Sequence, residues 1–222
     1  MKRLLILLTA CASTPPPAAP APHADPHAHH AMHHRFENAD QWTRVFDDPA
    51  RDAWQMPDKV VATLALAPGM VVADVGAGTG YFEKRLSAAV GDSGAVIAVD
   101  IEPDMVRYLR DRAQREGTPN VEARLGAPDD PKLTAASVDR VLIVDTWHHI
   151  DDRVAYSKKL ATALKPGGAV FVVDFTLETE KGPPKQHRLA PAQVIEELTQ
   201  AGLKAAVADA GLPDQYIVKA SL

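Results

Sequence analysis

Short apolar runs and amphipathic segments alternate along the chain from Met70 to its end. The apolar runs predict buried strands at 70–75, 95–100, 120–125, 137–146 and 169–175. Apolar residues at helical spacing predict helices at 79–90, 103–117, 152–164 and 190–202. A Lys-Pro-Gly-Gly turn precedes the fifth strand, and two further strands, near 203–210 and at 215–222, close the chain.

This order of elements predicts an α/β fold for residues 67–222. Repeated strand–helix–strand units imply a mostly parallel sheet with helices on both faces. The last two strands are joined by a short Gly-Leu-Pro-Asp link, which predicts an antiparallel hairpin at the C-terminus.

Residues 35–66 predict a helical cap of two short helices in front of this domain. Trp42 and Phe46 fall at helical spacing, and Pro57 stands near the start of the second helix. Two interpretations of the aromatic residues, Trp54 among them, remain open. They cover a pocket or they pack into the core, and core packing is slightly favoured.

The amino terminus has the pattern of a short export signal. Two cations precede an apolar run, and Leu8-Thr9-Ala10-Cys11 resembles a bacterial lipobox, with the only cysteine of the chain in the lipidated position. Residues 1–11 therefore predict a lipoprotein-type signal, lipidation at Cys11 and an exported protein anchored to a membrane, facing the periplasm or the cell exterior. The alternative is a cytoplasmic protein with an unprocessed start.

Residues 12–34 are rich in Pro, Ala and His and predict a disordered tether. They hold six of the nine histidines, and a linker with incidental histidines is favoured over a weak metal-binding tether. We predict no structural metal site.

Composition narrows the possible partners. The net charge of −5 argues against a nucleic-acid partner, because such proteins carry a concentrated basic surface. With one cysteine, neither an intrachain disulfide nor a Cys-based metal site can form. The oligomeric state is left open.

The segment VVADVGAGTGYF (71–82) joins the first strand to the first helix through a glycine-rich loop. Glycine permits positive φ angles and close approach of a ligand, and the following helix offers free N–H groups. No Gly-Lys-Ser/Thr follows, which excludes a P-loop, and Tyr81 breaks the dinucleotide pattern Gly-x-Gly-x-x-Gly.

Two carboxylates beside this loop favour a particular ligand. Asp74 precedes the loop and would repel a pyrophosphate, but it suits a ligand with an ammonium group. Asp100 ends the second strand, where an acid can accept hydrogen bonds from both ribose hydroxyls. Ile101 is placed to pack on an adenine. These features favour S-adenosylmethionine.

Four motifs in order, VVADVGAGTGYF, VIAVDIEPDMV, DRVLIVDTWHHI and LKPGG, resemble those of class I S-adenosylmethionine-dependent methyltransferases. The chain looks most like the small-molecule type that includes ubiquinone/menaquinone-type enzymes, over about Lys59 to Leu222. The resemblance implies a Rossmann-like, doubly wound seven-stranded sheet with six parallel strands and one antiparallel. It also implies methyl transfer from S-adenosylmethionine to a small-molecule acceptor.

The resemblance assigns cofactor contacts along these motifs. The methionine portion is expected against Asp74, Gly76, Ala77, Gly78, Thr79 and Gly80, and the ribose on Asp100. Ala127 holds the usual position for the adenine amine, which its backbone N–H would serve.

Candidate chemistry follows the fourth strand, at Asp145-Thr146-Trp147-His148-His149. Ligands of open α/β sheets lie beyond the carboxyl ends of the strands, so these residues are expected near a substrate. Asp145 is predicted to touch the cofactor or orient the loop, and Trp147 to contact the substrate. His148 or His149 is a candidate general base, although a structural role is favoured for both.

Residues 177–191 follow the fifth strand and contain few apolar residues. They predict either a lid or a solvated connector, and as a lid they would bring His187 and Arg188 to the acceptor.

Three functions are compatible with these features. They are a methyltransferase with an unidentified acceptor, a non-catalytic S-adenosylmethionine-binding or sensor lipoprotein, and an NAD-dependent oxidoreductase. Export strengthens the second, because S-adenosylmethionine is made in the cytosol.

Overall fold

Seven strands form one sheet in the computed structural model, which describes residues 36–222. The predicted signal (1–11) and tether (12–34) lie outside the described residues. The strands are β1 (Val71–Val75), β2 (Ala95–Asp100), β3 (Val121–Leu125), β4 (Val138–Val144), β5 (Leu164–Phe175), β6 (Lys204–Val207) and β7 (Gln215–Ser221).

The strand order is β3-β2-β1-β4-β5-β7-β6, and only β7 runs antiparallel to its neighbours. The chain builds outward from β1 to β3 and then returns to add β4, so the order reverses between β1 and β4. The predicted Rossmann-like, doubly wound fold and its C-terminal hairpin are confirmed. The reversal point is where such sheets bind ligands.

Seven helices surround the sheet in the part of the chain from 36 to 222. They are α1 (Ala39–Phe46), α2 (Arg51–Gln55), α3 (Pro57–Thr63), α4 (Glu83–Val90), α5 (Pro103–Glu116), α6 (Arg153–Ala163) and α7 (Pro191–Gln200). None of these helices combines the length and the apolar character that crossing a membrane requires.

The core lies on both faces of the sheet. Val141 and Ile143 of β4 belong to the apolar layer on the side of α6 and α7, whereas Leu142 and Val144 belong to the opposite layer, with residues of α3 and α4. Because alternate side chains are buried on both faces, the strands read as unbroken apolar runs.

Three of the differences from the predicted elements have a clear structural cause. The cap contains three helices, because Met56 takes a left-handed conformation (φ 48°) between α2 and α3. The helix predicted at 79–90 begins at Glu83, since Gly80 has a φ of 90°. The predicted turn before the fifth strand is part of β5, whose pairing with β4 shifts register there.

Candidate functional site

The glycine-rich loop packs directly against the ends of β2 and β4. The backbone N–H groups of Gly76 and Ala77 donate to the Val99 carbonyl, at 2.8 and 3.0 Å. Gly76 has a φ of 82°, and a Cβ atom there would overlap the Thr146 side chain. The close approach of the loop to β4 therefore requires glycine at this position.

Asp100 links the loop to the end of β2. Its Oδ2 accepts from the Gly78 N–H at 2.9 Å, and its Oδ1 accepts from the Glu102 N–H at 2.9 Å. The carboxyl group thus holds both backbone segments that border the predicted ribose position.

A cavity of about 750 Å³ opens at this edge of the sheet. Its wall includes most of the residues predicted from the sequence, namely Asp74, Gly76, Ala77, Gly78, Thr79, Asp100, Ile101, Ala127, Asp145, His148 and His149. The structure therefore brings the predicted cofactor residues other than Gly80 and both candidate bases together around one cavity.

Four predicted site residues lie outside the cavity wall. Gly80 packs instead towards α5, where an added Cβ would lie 2.9 Å from Leu109. Trp147 is fully buried in the core, and its indole N–H donates to Glu197 Oε2 at 2.9 Å. The structure does not support the predicted substrate contact of Trp147.

The remaining two, His187 and Arg188, lie in or beside a 3₁₀ turn at Lys185–His187. Arg188 donates to the carbonyls of Pro183 at 2.8 Å and Lys181 at 2.9 Å, so its guanidinium holds the 177–191 loop in shape. The loop itself reaches the cavity through Lys181–Pro183, which favours the lid over the solvated connector.

The cap forms the outer wall of the cavity. Phe46 and Trp54 both line it, so the slightly favoured interpretation of core packing is wrong for these two rings. The Phe46 ring lies 3.4 Å from the position of a Cβ atom on Gly78. Asp47 Oδ1 accepts from Thr79 Oγ1 at 3.0 Å and from Arg112 Nη1 at 2.9 Å, which fastens the cap to the loop.

Carboxyl groups dominate the deep part of the site. Burial raises the pKa of Asp74 and of Asp145 to about 7, and it also raises the pKa of Asp100. Glu83 does not line the cavity, but burial and the nearby charge of Asp74 hold its pKa well above the usual range. Neither oxygen of the Glu83 carboxyl has a hydrogen-bond donor among the described residues. Such a cluster favours a cationic ligand.

His148, in the same wall, is paired with the buried Asp174. His148 Nδ1 lies 3.0 Å from both carboxyl oxygens of Asp174, and both side chains are buried. Burial alone would lower the His148 pKa, but the bond to Asp174 and the charges of Asp174 and Asp145 raise it above the ordinary value. With Nδ1 engaged, Nε2 is the nitrogen that remains for a ligand in the cavity.

Sequence reasoning missed Asp174, the partner of His148, and it missed Arg51 and Tyr81, which both line the cavity. Asp174 carried a usable signal, since it lies near the carboxyl end of a predicted strand, as Asp74 and Asp100 do. Arg51 carried none, because a charged residue in a five-residue helix is usually solvated.

Within residues 36–222, no group of three or more His, Cys, Asp and Glu side chains has a geometry suited to a metal ion. The six histidines of 12–34 lie outside that range.

The sequence is similar to a methyltransferase family model and to methyltransferases of other organisms. Residues 72–168 match a family model described as a methyltransferase domain. A ubiquinone/menaquinone biosynthesis C-methyltransferase of Hydrogenovibrio crunogenus is 31% identical over 116 residues, which cover 52% of this chain and 46% of that protein. An uncharacterized methyltransferase of Mycobacterium bovis is 34% identical over 126 residues, covering 57% and 48% of the two chains.

Among solved structures, a SAM-dependent methyltransferase from Aquifex aeolicus superposes with a TM-score of 0.76 at 29% identity. That match covers 82% of this chain and 97% of the other. The chain spans about half the length of the curated relatives named above. These comparisons support S-adenosylmethionine as the cofactor of the site, in agreement with the sequence.

The His148–Asp174 pair gives a prediction that needs no ligand. Asp174→Asn removes the negative charge beside His148 Nδ1, so we expect the His148 pKa to fall below its wild-type value. NMR titration of histidine-labelled protein measures it, with the His148 signals assigned from a His148→Gln variant.

Asp92→Asn is the matched control. Asp92 is an exposed acid between α4 and β2, at the opposite edge of the sheet, and its loss changes the net charge equally. If Asp174→Asn leaves the pKa of His148 unchanged, the assigned pairing is wrong.

Proposed function

We propose that this protein is an S-adenosylmethionine-dependent methyltransferase that acts on a small molecule. The observation that carries the proposal is one cavity wall formed by the glycine-rich loop, Asp100 and a set of buried carboxyl groups. The methyltransferase-domain match over residues 72–168 supports the same reading.

The residues present fit the cofactor. Gly76 lets the loop pack against Thr146, where a Cβ atom would overlap, and both Gly76 and Gly78 have the positive φ angles that favour glycine, so the loop can keep its turn beside the cavity. In this proposal Asp100 accepts hydrogen bonds from the ribose hydroxyls and Asp74 from the ammonium group. When bound, S-adenosylmethionine supplies an electrophilic methyl group on a sulfonium.

In this proposal the chain positions the acceptor and removes its proton. His148 Nε2 takes a proton from the acceptor, and Asp174 stabilises the resulting imidazolium through Nδ1. A pKa raised above the ordinary imidazole value suits a base that works near neutrality. This arrangement favours an acceptor that must lose a proton, such as a hydroxyl, an amine or an acidic carbon.

The shape of the cavity supports a small acceptor with an apolar body. Phe46, Trp54 and Phe175 line it, and Trp54 and Phe175 have ring centroids 5.7 Å apart. Gly182 lies against the Phe175 ring, where a Cβ atom would overlap it. Closure by the cap and the 177–191 loop would keep water from the reacting atoms.

Asp100→Ala tests the cofactor assignment. We expect the wild-type chain to bind S-adenosylmethionine and its demethylated product, and Asp100→Ala to weaken both at least about tenfold through lost charge-assisted hydrogen bonds. Calorimetry measures the affinities, and Asp92→Ala serves as the control that leaves them unchanged.

The alternatives give different results. Tight NAD binding without any response to S-adenosylmethionine would overturn the proposal in favour of an oxidoreductase. Cofactor binding without transfer of a radiolabelled methyl group to any of a panel of phenol, quinol, amine and thiol acceptors would favour a sensor.

The buried carboxyl groups predict how cofactor affinity depends on pH. Asp74 and Asp145 have pKa values of about 7, so they are partly protonated in the free protein at neutral pH. A cationic ligand stabilises the ionised carboxylates and the neutral form of His148. Binding of the cation therefore releases protons. Affinity for S-adenosylmethionine should therefore rise from about pH 6 to 8, by up to roughly tenfold per pH unit for each proton released.

Calorimetry in buffers of different ionisation enthalpy counts the released protons directly. S-Adenosylhomocysteine lacks the sulfonium charge and should show a weaker pH dependence. An affinity for S-adenosylmethionine that falls over this range would refute the cationic-ligand argument.

Export is a separate proposal, which rests on residues 1–11 alone. We propose that the chain is lipidated at Cys11 and anchored to a membrane. Radiolabelled palmitate should label the wild-type protein in a bacterial host and should not label Cys11→Ser. Equal labelling of both would eliminate the anchor.

A further inference from the structure

Arg51 is the one arginine in the wall of the cavity formed by residues 36–222. Its side chain is only 13% exposed, and its guanidinium carbon lies 4.1 Å from the centre of the Tyr81 ring. Nη1 donates to the Phe46 carbonyl at 2.9 Å. The guanidinium is therefore held at a fixed position in the wall.

A closed ring of polar groups sets this position, with Gln55 and Gln215 buried and Arg51 and Asp145 partly buried. Gln55 Oε1 accepts from Arg51 Nε at 3.2 Å and from Nη2 at 3.0 Å. Gln55 donates to Gln215, and Gln215 donates to Asp145. Arg51 Nη2 closes the ring 3.5 Å from Asp145 Oδ2. The ring joins the cap to the ends of β4 and β7.

The ring does not use all the hydrogen-bond donors of Arg51. A guanidinium has five N–H donors, and Nη1 carries two hydrogens but makes a single hydrogen bond within the described residues. The 3.5 Å contact with Asp145 is long for a charge-assisted hydrogen bond. A buried cation of this kind gains from an anionic partner in the cavity.

The surroundings of Arg51 show which anion fits. Arg51 and Asp74 line the same cavity, and the charge of Arg51 lowers the pKa of Asp74 against the effect of burial. A cation beside an acid complements an α-amino acid, whose carboxylate and ammonium groups share one carbon. Among the groups of S-adenosylmethionine, the α-carboxylate is the one anion.

We infer that Arg51 binds the α-carboxylate of the cofactor's methionine portion, with Asp74 on the adjacent ammonium. This inference rests on the proposed function and deepens it. The cap then contributes a direct cofactor contact, and Gln55, Gln215 and Asp145 act as positioning residues that aim the guanidinium.

The test compares S-adenosylmethionine with its decarboxylated form, which keeps the sulfonium and the ammonium but lacks the carboxylate. Arg51→Met should weaken binding of S-adenosylmethionine at least about tenfold. It should leave the decarboxylated form within about threefold, or bind it more tightly because a positive charge is gone. Arg51→Lys should retain part of the discrimination. Calorimetry on the full chain gives each affinity.

Arg85→Met is the matched control. Arg85 also stands over Tyr81, at 5.4 Å, and it pairs with Asp52 and Asp58 but does not line the cavity. Its loss should leave the ratio of the two affinities unchanged.

Both ligands are measured on one preparation, so a partly misfolded fraction cannot produce a change in their ratio. If Arg51→Met weakens both ligands by the same factor, Arg51 acts only through cap packing and the inference is wrong. A wild-type chain that binds neither ligand is a different result, since it overturns the proposed function and this inference with it.

Discussion

Four neighbouring parallel strands carry an aspartate at or just beyond their carboxyl ends, and burying these groups together is the constraint that shapes the site. The residues are Asp74 in β1, Asp100 in β2, Asp145 after β4 and Asp174 in β5. The sheet places all four at one edge, and apolar layers remove much of the water that would screen them. Each carboxyl group then needs a partner or a proton.

The chain satisfies these carboxyl groups unequally. Asp100 receives two backbone N–H groups, Asp174 faces His148, and Asp145 receives Gln215 and the more distant Arg51. Asp74 instead lies near a second buried carboxyl group, Glu83, whose own pKa is held well above the usual range by burial and by the charge of Asp74. This pair of buried acids lies where the cofactor's ammonium group is proposed, and a cation there would stabilise their ionised forms.

Much of this arrangement could be predicted from local sequence. An apolar run that ends in an acid indicates a strand end at a binding edge, and this pattern, with the glycine-rich loop after Asp74, predicts the roles of Asp74 and Asp100. The cap could not be resolved in the same way, because α2 has five residues and shows no period. The contacts of Arg51 with Asp145 and of Gln55 with Gln215 join distant parts of the chain, and no local pattern records them. The predicted substrate contact of Trp147 is unsupported for a related reason. The 3₁₀ turn Trp147–His149 directs the indole into the core and His148 to the cavity.

The electrostatics of the wall also separate the candidate ligands. A dinucleotide would bring a doubly charged pyrophosphate to a loop bordered by Asp74 and Asp100, where each ionised carboxyl group repels it. Protonating those groups would relieve the repulsion, but the raised pKa of Asp74 is only about 7, so its carboxyl group would still be partly ionised near neutrality. A sulfonium–ammonium ligand is attracted by the same groups and needs one anion-binding residue, for which Arg51 is available. The charge pattern of the cavity therefore argues for S-adenosylmethionine independently of the glycine motif.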